Sequence, residues 1–129
     1  TADLPEGRGE VVLVVEDEPD LLEIVVAQLA GLGYTVLSAR DGRTALKVAA
    51  GKERIDLLLT DVILPGDMNG RAIAEALQGQ RPALKVLYMS GYTENAIVHQ
   101  DRLDKDAQLL RKPFTRTELA AKMRGALSR

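Results

Sequence analysis

A chain of 129 residues, 46% hydrophobic and with a formal charge of −2, suits one globular domain and excludes a disordered, highly charged tail. It has no cysteine, which removes disulfides and thiolate metal sites and suits a cytoplasmic setting. No apolar run reaches membrane-spanning length and no signal peptide is visible, so no membrane contact is expected of this domain.

Residues 1–9, TADLPEGRG, read as a polar linker or tail ahead of a domain over 10–129. The start at Thr1 rather than Met suits an excised or processed fragment. The run VVLVV at 11–15 is β-branched and nearly continuous, the pattern of a strand buried on both faces. Four carboxylates follow at once, Glu16, Asp17, Glu18 and Asp20, with Pro19 among them. Leu21, Val25, Leu29 and Leu32 then recur at helical spacing; Pro19 suits that helix's first turn and Gly31 or Gly33 its end. Glu18 and Asp20 sit where a helix dipole favours negative charge. Glu16 and Asp17 end the strand instead.

A second strand over 34–39 leads to a helix from Asp41, a candidate N-cap, to Gly51. Strands over 55–60, 84–89 and 107–111 follow, with helices near 70–79 and 94–103 between them. In the last helix Thr115 and Glu118 form a capping-box pattern, and Leu119, Met123 and Leu127 form the buried stripe. The chain has only four aromatics, Tyr34, Tyr88, Tyr92 and Phe114, so its core is built mostly of Leu, Val, Ile and Ala. Five βα units predict an α/β fold, a doubly wound five-stranded parallel sheet in the order 2-1-3-4-5. Ligands of such sheets bind at the carboxyl ends of the strands, near the switch point between strands 1 and 3.

Those ends carry Glu16 and Asp17, Asp61, Ser90 and Lys112. Any one of them alone reads as a cap or a solvated group; four of five strand ends together point to a site. Three neighbouring carboxylates repel unless a cation joins them, and an all-oxygen set suits Mg²⁺. Asp61 is then a candidate nucleophile forming an aspartyl phosphate. Lys112 and Ser90 would supply charge and hydrogen bonding to the phosphoryl oxygens.

The ordered set resembles the receiver domain of two-component response regulators, over residues 10 to about 127. It consists of the acidic pair, Asp61-Val62-Ile63-Leu64-Pro65, Ser90, and Lys112-Pro113-Phe114. The resemblance implies a flavodoxin-like three-layer sandwich that takes a phosphoryl group on Asp61 from a histidine kinase or a histidine phosphotransfer domain and then switches conformation. It implies Mg²⁺ or Mn²⁺ held directly by Asp17 and Asp61, through water by Glu16, and by the Ile63 backbone carbonyl. Ser90 would move toward the phosphoryl group, Lys112 would pair with it, and Lys112–Pro113 would be cis. The domain's own chemistry is its phosphorylation and dephosphorylation. The MSGYTE segment, the linker and the missing Met resemble receivers at the C-terminal end of hybrid histidine kinases; a stand-alone receiver or a DNA-binding regulator are the other parents. A receiver homodimer is a further candidate partner.

Three positions depart from the pattern. Glu16 stands where Asp is commoner. Gly70 follows Asp61 by nine residues, one more than usual, which predicts a wider turn in PGDMN. The strand-5 aromatic that switches in many receivers is Leu109 here, and Tyr92 is read either as its replacement or as a surface anchor. A flavodoxin-type cofactor site is disfavoured because EDEPD would repel a phosphate. A phosphatase would want a second acid at Ile63. A purely structural module would have lost an acid or the Lys. His99, the lone histidine, is read as exposed. Residues 96–129 carry eight Lys or Arg against four acids, but spread out and without a stacking platform, so no nucleic acid is expected.

Overall fold

The VVLVV run becomes an inner strand of a parallel sheet. The computed structural model describes residues 5–52, 54–91 and 108–128. Its strands are β1 (Val11–Val15), β2 (Thr35–Ala39), β3 (Leu57–Asp61), β4 (Lys85–Ser90) and β5 (Gln108–Arg111), in the order β2-β1-β3-β4-β5 that was predicted. The helices are α1 (Pro19–Gly31), α2 (Gly42–Ala50), α3 (Gly70–Gln80) and α4 (Arg116–Leu127). The helix expected near 94–103, Tyr92 and His99 lie outside the described residues. No helix among the described residues is long and apolar enough to cross a membrane.

Alternation along β1 builds two cores. Val12 and Val14 join Val25, Leu29, Leu119 and Met123 on one face. Leu13 and Val15 join Ala45, Ile73 and Leu77 on the other. Side chains on both faces of β3 are buried, which explains why its sequence reads as a continuous apolar run.

Local signals start the helices where the sequence placed them. Glu18 caps α1, its side chain accepting from Asp20 N, with Pro19 at the first turn. Asp41 caps α2, and Thr115 with Glu118 closes the capping box of α4. Residues just before β1 are tied down: Gly7 N donates to Leu32 O at 2.6 Å and Gly9 N to Gly33 O at 2.9 Å. Arg124, in the last turn of α4, donates to Glu6 O and pairs with Glu10.

Candidate functional site

The ladder registers bring the predicted groups to one edge. Val15 stands beside Thr60, Asp61 beside Met89, and Ser90 beside Arg111. Residues at or just beyond these pairs are therefore neighbours at the carboxyl end of the sheet. Lys112 N donates to Ser90 O at 2.8 Å, which fixes the start of the segment after β5. Lys112–Pro113 is cis, as the resemblance implied.

Ligand oxygens of Glu16, Asp17 and Asp61 lie within 4.8 Å of one another. Glu16 and Asp61 are each only 1% exposed, whereas Asp17 faces solvent. The Lys112 ammonium bridges the buried pair, 2.8 Å from Glu16 Oε1 and 2.5 Å from Asp61 Oδ1. The longer Glu16 side chain also turns back on its own loop, Oε2 accepting from Glu18 N at 3.0 Å. Glu18 itself is occupied as a helix cap and Asp20 lies in the first turn, so these two acids belong to the helix start as the sequence suggested.

Burial, reinforced by the Glu16 carboxyl beside it, pushes the Asp61 pKa up to about 8 against the pull of Lys112. Burial also opposes ionisation of Glu16, but its contacts with Asp61 and Lys112 outweigh this and hold it below the usual carboxylate range. Burial pulls the Lys112 pKa down, yet the two carboxylates more than compensate and raise it. The arrangement holds more negative charge than one ammonium balances. Asp61 Oδ1 meets only the Lys112 ammonium, and the buried Asp61 Oδ2 and Ser90 Oγ have no hydrogen-bond partner among the described residues. Buried polar atoms of this kind are rare in native proteins, and a catalytic role or a bound ion or water accounts for them.

Ile63 stands just after β3 and is 36% exposed. Leu109 is partly buried against the α2–α3 core, opposite Tyr88 in the ladder. Two supports of Asp61 escaped the sequence reading. The Thr60 hydroxyl donates to Asp61 O at 3.0 Å. Gly70 packs so closely that a Cβ there would run into the Asp61 carbonyl and Thr60 Cγ2. A glycine opening the otherwise helix-forming run RAIAEAL was the available signal for the second.

The family described as response regulator receiver domain matches residues 12–124. The chain belongs to that family. It is thus a receiver domain of two-component signalling, with a site at the expected strand ends. The probable transcriptional regulatory protein TcrX of Mycobacterium tuberculosis is 34% identical over 128 residues, which cover 96% of this chain and 52% of TcrX. The sensor kinase CckA of Brucella abortus is 33% identical over 92% of this chain and 12% of CckA. The receiver therefore spans about half of the first relative and a much smaller share of the second. The crystal structure of response regulator protein TrrA from Thermotoga maritima, in complex with Mg²⁺–BeF, matches with a TM-score of 0.77 and 27% identity, covering 92% of this chain and 99% of TrrA.

Proposed function

We propose that Asp61 takes a phosphoryl group from the phosphohistidine of a histidine kinase or histidine phosphotransfer domain. The observation that carries this reading is the buried Asp61 carboxylate, one oxygen on the Lys112 ammonium and the other without a hydrogen-bond partner among the described residues, with the unpartnered Ser90 hydroxyl at the end of the neighbouring strand. A carboxylate oxygen attacks phosphorus, the P–N bond breaks, and its electron pair leaves with the imidazole. Lys112 balances charge on the phosphoryl oxygens, and Ser90 donates a hydrogen bond to one of them. Thr60 and Gly70 hold the Asp61 backbone while this happens.

The residues fit a hard divalent cation. Three carboxylates converge with a single ammonium between two of them, and all the donors are oxygen. Asp17 and Asp61 would hold Mg²⁺ or Mn²⁺ directly, Glu16 through water, and the Ile63 carbonyl would complete the protein ligands. The cation supplies, when bound, positive charge that favours ionised Asp61 and neutralises phosphoryl oxygens.

We place this receiver in the cytoplasm, alone or within a hybrid histidine kinase or a DNA-binding regulator, with residues 1–9 as the linker or tail and 10–129 as the receiver body. Its similarity to part of CckA supports a kinase parent and that to part of TcrX a regulator. Incubation with a small phosphodonor and Mg²⁺, followed by intact mass, tests the site. One added phosphoryl group is expected, absent in Asp61→Ala and in the presence of a chelator. Modification that persists in Asp61→Ala would overturn the assignment.

A further inference from the structure

The loop that carries Ile63 is closed on itself and fastened to a neighbouring helix. At its base Val62 N donates to Met89 O at 3.0 Å, and Gly70 N donates to Val62 O at 2.9 Å. The added residue in PGDMN falls in a turn through Gly66 at φ +90°, a conformation that side chains disfavour. Beyond this turn Asp67 pairs with Arg43 of α2 at 2.7 Å. Met68 lies against Gly42, at the first turn of the same helix. A Cβ on Gly42 would come within 2.7 Å of Met68 Cβ and 3.2 Å of its sulfur. The nearer atom is the root of the methionine side chain, so a rotamer change cannot relieve the collision. The loop backbone or the start of α2 would have to move.

We propose that Gly42 and Met68 form a latch by which α2 positions the 62–70 loop, and with it Asp61 and the Ile63 carbonyl, for Mg²⁺. Gly42 and Gly70 are positioning residues at two points of the loop. Gly70 fits beneath the Asp61 carbonyl, and Gly42 leaves room for Met68. The Arg43–Asp67 pair, whose side chains are 76% and 64% exposed, is an exposed guide rather than the fastening. Neither glycine touches the phosphoryl group. They act through the segment that bears the ligands, as outer contacts do around metal sites. The inference rests on the reading of Asp61 and Ile63 as metal ligands.

The test is direct Mg²⁺ titration of the whole chain by calorimetry or amide NMR, beside thermal unfolding of the metal-free protein. Gly42→Ala is expected to keep a cooperative unfolding transition while weakening Mg²⁺ binding by about tenfold or more, the scale seen when ligand-orienting contacts are lost. A folded Gly42→Ala protein whose Mg²⁺ affinity stays within about twofold of wild type overturns the latch. Should Gly42→Ala not fold, Met68→Ala decides, because it removes the sulfur end of the contact with Gly42. Met68→Ala should then weaken Mg²⁺ binding, and wild-type affinity in that variant overturns the proposal. A wild-type chain that binds no Mg²⁺ overturns the reading of the site as well, whereas unchanged affinity in the variants overturns the latch alone.

Discussion

Asp56 and Asp61 bracket the same strand and have opposite fates. At the entrance to β3, Asp56 Oδ2 accepts from Val11 N at 2.8 Å and Oδ1 accepts from Arg54 Nε at 3.1 Å. Its backbone N–H donates to Val11 O and its carbonyl accepts from Lys85 N. At the exit, Asp61 is 1% exposed, its Oδ1 meets only the Lys112 ammonium and its Oδ2 has no hydrogen-bond partner among the described residues. A carboxylate with its partners in place ties strands together. One buried with too few of them carries an electrostatic cost that a cation can relieve.

The largest effect that could break this contrast is on phosphoryl uptake. Asp61→Asn should reduce incorporation to background by intact mass, while Asp56→Ala should retain it. Equal losses in the two variants would mean that the site reading confuses chemistry with folding.

Next comes the dependence of stability on pH in chelator. The folded pKa of Asp61, about 8, lies above its ordinary 3.8, so the native state holds a proton that the unfolded chain releases. Its contribution is complete below 3.8 and disappears as pH rises through about 8. Glu16 has the opposite sign: its contribution is present above its ordinary 4.5 and lost as pH falls through its lowered value. Between pH 5 and 8, urea unfolding should therefore show stability falling with a slope of up to about 1.4 kcal/mol per pH unit. Asp61→Asn should flatten that slope, and an unchanged slope in the variant would rule out Asp61 as its source.

Asp56→Ala should lower unfolding free energy by about 1–3 kcal/mol, because Val11 N loses its acceptor. Smallest is Thr115→Ala, which removes the α4 cap and should reduce stability by about 1 kcal/mol with uptake retained. If uptake falls in Thr115→Ala as steeply as in Asp61→Asn, general loosening rather than a dedicated carboxylate would explain both.

The contrast between the two acids also marks what the sequence could show. The β1 run was legible residue for residue because burial on both faces writes an uninterrupted apolar string. The third strand was read as starting at Ile55, but Asp56 caps the ladder from its side, so regular pairing begins at Leu57 and continues to Asp61. Strand ends named the candidate site because parallel strands deliver their last residues to one edge. Contacts between distant residues were hidden: the bond of Lys112 to Glu16 and the fit of Gly70 against Asp61 depend on side-chain reach and backbone approach, which spacing does not encode. The Tyr92 reading concerns a position outside the described residues.

The docking of residues 6–10 has a practical consequence for anyone joining this receiver to something else. Gly7 lies over the Tyr34 ring, closely enough that a Cβ would meet it at 2.6 Å, and Arg124 clasps the same segment. That anchorage is at the amino end of β1, one strand length of about 16 Å from the edge that carries Asp61. A reporter or tag fused ahead of residue 5 therefore leaves the domain from the end of the sheet opposite Asp61.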